Sequence, residues 1–224
     1  PSVQLWSPDS PFLYDLDVWL VRGTATVDAV SSYFAAREVA VQRDVDGTPR
    51  LMLNNRPVFM FGLLDQGYWP DGVLTPPCEE AMLFDLELAK QMGMNTVRKH
   101  VKVESRRWYA ACDKLGLLVW QDMPSGDRYA RWDPFGTFYG VEDVRSVESM
   151  TTFREELSEL VGCRRMHPCI VCWVLFNEGW GQAHTEELAT WLRNQDPTRL
   201  VNAASGGNDL PCAPGSMVDW HFYP

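Results

Sequence analysis

The stretch that decides the fold reads HPCIVCWVLFNEGWGQ, from His167 to Gln182. Every residue in 170–176 is apolar, and a run of this length is typical of a strand buried on both faces, as in a parallel sheet. The run ends at Asn177 and Glu178. The stretch therefore predicts a core strand that stops at an amide and a carboxylate.

The surroundings of this carboxylate suggest chemistry on sugars. Gly179 and Gly181 open a turn directly after Glu178, and Trp173 and Trp180 are close in sequence and could wall a site there. Catalytic groups of α/β barrels lie at the carboxyl ends of the strands, and aromatic faces suit sugar rings. A Glu-Gly turn after an ordinary core strand is the alternative, and the rest of the chain has to decide between the two.

Composition narrows the class of protein and its partners. The 224 residues can form one large domain or a small one plus a larger one, and 46% of them are hydrophobic. The chain has 20 basic and 30 acidic residues, and this net charge of −10 argues against nucleic acid or an anionic membrane as a partner. Ten tryptophans leave ample aromatic surface for carbohydrate, and no apolar stretch is long enough to cross a bilayer.

The cysteines predict neither a metal site nor a disulfide framework. Cys169 and Cys172 lie three apart in the predicted strand and so point to opposite faces, which makes a poor zinc or redox pair. We expect reduced core cysteines instead. The chain begins at Pro1 rather than Met, and the sequence leaves the compartment undecided. The six cysteines are Cys78, Cys112, Cys163, Cys169, Cys172 and Cys212.

Residues 1–44 carry β patterns and no helix pattern. Three strands are predicted, at Phe12–Val21, Thr24–Val30 and Arg37–Arg43, which is too little to close a sandwich. We interpret residues 1–44 as the last strands of an immunoglobulin-like β-sandwich, and residues 45–224 as a second domain. Turn signals follow at Asp46-Gly47 and at Asn54-Asn55.

Beyond residue 57, strands and helices alternate, which predicts right-handed βαβ units and a parallel sheet. Polar residues end the strands, as on the catalytic rim of a (β/α)₈ TIM barrel, of which the chain holds about six of the eight strands. A doubly wound sheet is the alternative, but no Gly-x-Gly-x-x-Gly turn follows any strand. The predicted strands are 58–64, 95–100, 117–121, 170–176, 200–204 and 217–221, the helices are 79–92, 105–115, 147–165 and 185–194, and the polar ends are Asp65, His100, Asp122, Glu178, Ser205 and His221.

Several short motifs resemble those of glycoside hydrolase family 2, the group of β-galactosidases, β-glucuronidases and β-mannosidases. The strongest is Trp-Val-Leu-Phe-Asn-Glu at 173–178, and together the motifs cover nearly all of the chain. The others are LWSP at 5–8, PFLY at 11–14, NTVRKH at 95–100, VWQDMPS at 119–125 and HFYP at 221–224.

The resemblance implies a retaining β-glycosidase that cleaves a terminal β-linked sugar. Glu178 would be the acid/base, with a pKa raised by its surroundings, and Asn177 would bind the sugar's 2-hydroxyl. Arg98 would sit beside the nucleophile; an ion pair with Asp122 or Glu104 is its structural alternative. The sugar subsite would be lined by His100, Asp122, Trp180, His221 and Tyr223, although Asp122 could instead cap a helix and Trp180 could belong to the core.

The sequence departs from the family pattern in two places. The family's nucleophile is a Glu in a Glu-Phe-Gly-Gly-like segment after strand seven, and no such segment occurs in these 224 residues. We therefore expect a fragment that is inactive alone. Magnesium-dependent members carry Glu-x-His after strand three, where this chain has Ser125-Gly126-Asp127, so neither a metal nor a cofactor is implied.

Two other functions stay open at this point. One is a non-catalytic, glycosidase-like structural or carbohydrate-binding component of a larger assembly; homo-oligomerisation is also possible. The other is an unrelated sugar isomerase or aldolase barrel, which would need a metal cluster or a Schiff-base lysine at a strand end, and Lys99 and Lys102 are the lysines near one. The sequence does not select among galactose, glucuronate and mannose.

Overall fold

The computed structural model describes residues 2–128, 142–207 and 217–223. The sequence predictions about Cys212 and Pro224 lie outside these residues.

Short antiparallel strands form the N-terminal part in two small sheets. The first two strands pair as a long hairpin whose residues are mostly exposed, and the next three form a second sheet. The predicted turn at Asp46-Gly47 joins two strands of the second sheet, with the Asp44 N–H donating to the Thr48 carbonyl at 2.8 Å. The strands are β1 (Tyr14–Arg22), β2 (Ala25–Phe34), β3 (Val39–Arg43), β4 (Pro49–Leu53) and β5 (Arg56–Pro57).

The second predicted turn, Asn54-Asn55, joins β4 to β5. Both asparagines have positive φ, 53° and 61°, which asparagine tolerates better than most residues and which a tight hairpin turn requires. Strands β3 and β4 pair across residue 44, so the second sheet straddles the boundary drawn from sequence. The division of the chain at 44/45 stays a prediction.

A five-stranded parallel sheet organises the remainder of the chain. Its spatial order is the chain order, β6 to β10, without the reversal that defines a doubly wound sheet. This order confirms the barrel interpretation. The strands are β6 (Gly62–Asp65), β7 (Thr96–Lys99), β8 (Leu118–Asp122), β9 (Ile170–Val174) and β10 (Leu200–Asn202).

Two of the strand predictions were wrong in extent. The first barrel strand starts at Gly62 rather than at residue 58, because the Val58 N–H donates to the Leu51 carbonyl of β4 instead of joining the parallel sheet. The sixth predicted strand, 217–221, is only a bridge between Ser205 and Asp219.

Four helices cover the sheet close to where the sequence predicts them. Cys78 is the N-cap of helix α1 (Glu79–Gln91), and its Sγ accepts a bond from the Ala81 N–H at 3.4 Å. Helix α2 ends at Gly116 with φ 71°, a left-handed C-cap, and a Cβ there would come within 2.6 Å of the Pro8 carbonyl oxygen. None of the helices within the described ranges is both long and apolar enough to span a bilayer. The helices are α1 (Glu79–Gln91), α2 (Arg106–Leu115), α3 (Val147–Arg164) and α4 (Thr185–Gln195).

One continuous core joins the N-terminal strands to the barrel. Trp6 is fully buried and its indole N–H donates to the Asp113 carbonyl of α2 at 2.8 Å. The Asp113 side chain, also buried, accepts a 2.7 Å bond from the Tyr33 hydroxyl of β2 and lies 2.7 Å from the His167 ring. These contacts lock the amino-terminal end of β9 in place, and so help to fix where its other end emerges.

Candidate active site

The polar groups that end strands β7 to β9 converge at one edge of the sheet. Arg98 lies near the end of β7, Asp122 ends β8, and Asn177 and Glu178 follow β9. Because parallel strands share one direction, their carboxyl ends meet at the same rim. Asp122 and Glu178 are two of the polar strand ends from which the sequence predicts a common rim, and Arg98 and Asn177 lie beside them.

Arg98 is the centre of the cluster. Its Nε donates to Asp122 Oδ1 at 3.0 Å and its Nη2 to Asp122 Oδ2 at 3.0 Å, a bidentate pair. The same Nη2 donates to Asn177 Oδ1 at 2.8 Å, while Nη1 donates to Ser205 Oγ at 2.6 Å and lies 3.0 Å from His221 Nε2. One guanidinium therefore orients four side chains, each from a different segment of the chain.

Asp122 is an anchor for this arginine and not a helix cap. Its carboxyl, 1% exposed, also accepts the Val101 N–H at 3.1 Å. Burial raises the pKa of Asp122, and the Arg98 guanidinium opposes that rise. The ion-pair alternative for Arg98 is thus realised with Asp122, whereas Glu104 pairs with Lys99 and Lys102.

The orientation of Asn177 follows from its bond to Arg98. Because Asn177 Oδ1 accepts from the guanidinium, the amide NH₂ points away from Arg98. The backbone of Asn177 forms a parallel bridge with Ser205, and the residue is buried. A buried amide with its oxygen engaged can offer its N–H groups to a hydroxyl.

Glu178 sits on a strained turn that continues the sheet. The predicted strand 170–176 ends formally at Val174, but the Leu175 N–H still donates to the Asn202 carbonyl and the Glu178 N–H to the Ser205 carbonyl, at 3.0 and 2.7 Å. Glu178 has φ 50°, a left-handed conformation that is uncommon for a residue with a side chain. Such strain clusters at functional sites, where the surrounding structure holds it.

The Glu178 carboxyl is half-buried and held by two partners. Its Oε1 lies 2.9 Å from His221 Nδ1 and accepts the hydroxyl of Tyr223. Arg98 can only donate, so His221 Nε2 accepts from it and Nδ1 carries the hydrogen that reaches Glu178. The acid is therefore linked to the arginine through one imidazole.

The expectation that its surroundings raise the pKa of Glu178 was wrong. Burial raises it, but the hydrogen bonds from His221 and Tyr223 outweigh burial, and the pKa of Glu178 lies below its usual value. The sequence argument considered desolvation alone and missed the donors that stabilise the carboxylate.

His100 lies beside this cluster. Burial lowers the pKa of His100, although Asp122, Asn177 and Glu178 favour its charged form. Its buried Nδ1 has no hydrogen-bond partner among the described residues.

The two tryptophans predicted as walls differ from each other. Trp180 follows Glu178 on the turn, and 38% of its surface is exposed. Trp173 does not wall the site: it is buried, and its indole N–H donates to Asp196 at 3.0 Å on the helical side of β9. Position along the strand decides this, because side chains alternate between faces.

Asp219 belongs to the cluster but was missed from sequence. Ser205 Oγ donates to Asp219 Oδ2 at 2.5 Å, and Asn202 Nδ2 donates to the same oxygen at 2.8 Å. Ser205 was noticed only as a polar strand end. The one signal for Asp219 was its position two residues before His221 in a segment with alternating side chains.

Ser205, His221 and Glu178 resemble a hydrolytic triad in connectivity only. Ser205 Oγ lies 3.0 Å from His221 Nε2, and His221 Nδ1 lies 2.9 Å from Glu178. However, Ser205 is fully buried, its proton goes to Asp219, and Arg98 occupies the imidazole nitrogen that would act as base. The serine is therefore structural.

The rival barrel chemistries find no support at this rim. Lys99, 1% exposed, turns away from the site and pairs with Asp65 and Glu104 at 2.9 and 2.8 Å. Lys102 donates to the Gly67 carbonyl. No cluster of three potential metal ligands occurs in residues 2–128, 142–207 and 217–223. The five cysteines in these ranges are free thiols; Cys112, Cys169 and Cys172 are buried, whereas Cys78 is exposed and Cys163 partly so.

Comparison with known proteins links the chain and its fold to one family. The family model for the "Glycosyl hydrolases family 2, TIM barrel domain" matches residues 48–214, and that for "Glycosyl hydrolases family 2" matches residues 1–37. A β-galactosidase of Vibrio cholerae is 27% identical over 98% of this chain and 21% of its own length. The chain thus spans about a fifth of the length of such curated relatives.

Solved structures share the fold. A β-glucuronidase of Parabacteroides merdae superposes with a TM-score of 0.70 at 20% identity, covering 89% of this chain and 24% of the other. A β-galacturonidase of Eisenbergiella tayi gives a TM-score of 0.71 at 21% identity, covering 91% of this chain and 34% of the other.

Proposed function

The chain belongs to glycosyl hydrolase family 2, and on this premise we propose that it carries the acid/base half of a retaining β-glycosidase site, with Glu178 as the acid/base. The observation that carries the proposal is the placement of Glu178: it follows strand β9 on a left-handed turn, is half-buried, and is linked through His221 to Arg98.

In such a mechanism Glu178 gives its proton to the glycosidic oxygen as the bond to the anomeric carbon breaks. A second carboxylate, roughly 5–5.5 Å away, attacks the anomeric carbon and forms a glycosyl-enzyme, and Glu178 then takes a proton from the water that hydrolyses it. The Glu-Phe-Gly-Gly-like segment that carries this second carboxylate in the family does not occur in these 224 residues. We therefore assign one partner of the pair to this chain.

The lowered pKa of Glu178 suits its role as a base. To act as an acid, Glu178 must be protonated, so something must raise its pKa in the first step. A negatively charged nucleophile at that distance would disfavour the charged form of Glu178 and raise its pKa. Loss of that charge on glycosylation would lower the pKa again, when a base is needed. The hydrogen bonds from His221 and Tyr223 keep the pKa of Glu178 low when the nucleophile carries no charge.

The remaining rim residues suit the binding of a sugar. The Asn177 amide would donate to the 2-hydroxyl. The five N–H groups of Arg98 already bind its neighbours, so its positive charge would favour the ionised nucleophile through space. The sugar subsite would be lined by His100, Asp122, Trp180, His221 and Tyr223. We therefore propose a carbohydrate substrate. We also propose that the chain divides into two domains, residues 1–44 and 45–224.

The test uses the full-length product of the gene. It is assayed on chromogenic β-galactoside, β-glucuronide, β-galacturonide and β-mannoside, with Glu178→Gln as the variant and Glu186→Gln, an exposed acid on α4, as the matched control. We expect turnover of at least one sugar, a loss of about 10²–10⁴-fold in Glu178→Gln, and little change in the control.

Two outcomes would count against the proposal. Activity that is unchanged in Glu178→Gln would remove the acid/base assignment. An absence of activity on every sugar would favour the alternative of a non-catalytic carbohydrate-binding or structural component. Azide adds a check on the retaining mechanism: with Glu178→Ala and an activated aryl glycoside, this anion needs no general base and should release the trapped sugar as a glycosyl azide.

A further inference from the structure

We propose that Arg145 is a positioning residue that holds the Glu178 turn in its catalytic conformation by tying it to the loop after β8. The inference rests on the proposed function of Glu178. It concerns a residue that lies before helix α3 and outside the cluster of Arg98.

Arg145 joins two loops through their backbones. A single nitrogen, Nη1, donates to the Ser125 carbonyl at 2.7 Å and to the Gly181 carbonyl at 3.0 Å. Ser125 follows β8, and Gly181 closes the turn that carries Glu178. One buried charge thus bridges the two loops that border the candidate acid.

The guanidinium is itself fixed by its surroundings. The side chain is 6% exposed, its Nε donates to Ser149 Oγ at 3.1 Å, and its Cζ lies 4.8 Å from the ring centroid of Phe153. Phe153 stacks on Phe176 with ring centroids 5.3 Å apart and an interplanar angle of 9°. Phe176 is two residues before Glu178, so Arg145 supports the turn from both of its ends.

The turn leaves no room for a side chain at Gly181. Its φ of 56° is left-handed, and a Cβ there would lie 2.2 Å from the Gly126 carbonyl oxygen and 2.9 Å from Arg145 Nη1. The Gly181 N–H donates to the Arg128 carbonyl at 3.1 Å. Glu178 with φ 50° lies in the same turn, and a strained backbone persists only where neighbours hold it.

The effect of Arg145 on the alignment of Glu178 can be measured separately from its effect on folding stability. A general acid matters most when the leaving group is a poor one, because an activated aryl oxide departs without a proton. A misplacement of about 1 Å can cost about 10²-fold in rate. If Arg145 aligns Glu178, its loss should therefore slow poor leaving groups selectively.

The experiment compares leaving groups in Arg145→Met of the full-length protein. The probes are the 2,4-dinitrophenyl and methyl β-glycosides of the sugar turned over best, and the quantity is kcat/KM, which reports the first chemical step. We expect kcat/KM to fall roughly 10- to 100-fold for the methyl glycoside and less than about threefold for the dinitrophenyl glycoside. Arg145→Lys should restore part of the loss, because lysine keeps a donor and the charge.

Arg199→Met is the matched control. Arg199 is as deeply buried and also caps backbone carbonyls, donating to Ile170 at 2.9 Å and to His167 at 2.8 Å, but at the opposite end of β9. We expect this variant to lose stability with the ratio between the two substrates unchanged.

The outcomes separate the inference from the function on which it rests. Equal losses on both glycosides in Arg145→Met, or the same selective loss in Arg199→Met, would overturn the positioning role. If Glu178→Gln also leaves the ratio unchanged, the acid/base assignment falls as well. If Arg145→Met does not fold, Gly181→Ala is the second variant, because it displaces the same turn while Arg145 is present. We expect the same selective loss on the methyl glycoside. An unchanged ratio of kcat/KM between the two glycosides would refute the inference.

Discussion

The bond between Arg98 and Asp122 should be the largest single polar contribution to the stability of this rim. In Asp122→Asn the side chain keeps its volume, but an NH₂ group replaces one of the two oxygens that accept from the guanidinium at 3.0 Å. Removing one partner of a buried ion pair costs about 3–5 kcal/mol, because the other charge stays buried and uncompensated.

The structure places the expected loss at the lower end of that range. Arg98 keeps neutral acceptors in Asn177 and Ser205, at 2.8 and 2.6 Å, and these offset part of the lost charge interaction. The Val101 N–H can still bond the remaining oxygen of the new asparagine. We therefore expect the free energy of unfolding to fall by about 3 kcal/mol.

The assay is urea unfolding followed by tryptophan fluorescence, with equal m-values required of the proteins compared. The matched control is Glu79→Gln, whose carboxylate is 50% exposed and pairs with Arg107 at 2.9 Å on the surface of α1. Exposed pairs contribute less than about 1 kcal/mol. A loss in Asp122→Asn that is no larger than in the control would refute the view that this pair organises the rim.

Two further predictions concern acids whose charged forms are held by neighbours. Burial raises the pKa of Glu104, but Lys102 and Lys99 outweigh burial, and the pKa lies below the usual 4.5. Glu104 therefore stabilises the fold above that pH, and this contribution is lost as the pH falls below it. In urea unfolding, Glu104→Gln should be less stable at pH 7 and should lose less stability toward acid pH; an unchanged slope of stability against pH would contradict this. His221→Phe removes a donor to the carboxylate of Glu178 and should raise the pKa of Glu178 in a carboxyl NMR titration, whereas a fall or no shift would show that the imidazole does not set it.

Local chemistry accounts for most of the architecture that sequence predicted. The glycine after Leu115, the acids that open α1 and the apolar run 170–176 each have a local physical reason, and helices and inner strands fall within a few residues of their predicted bounds. The predictions fail where a tertiary partner intervenes, as at Val58, whose N–H bonds to β4 instead of starting the first barrel strand.

The sequence by itself determined the α/β alternation, the family resemblance, and the placement of Arg98, Asp122 and Glu178 at strand ends, because periodicity and short motifs are local properties. Only the tertiary structure decided the partners of these groups: that Trp173 faces away from the site, that Asp219 joins it, and that Arg145 braces the turn. It also reversed the expected pKa of Glu178, since a pKa depends on donors that are distant in sequence and adjacent in space.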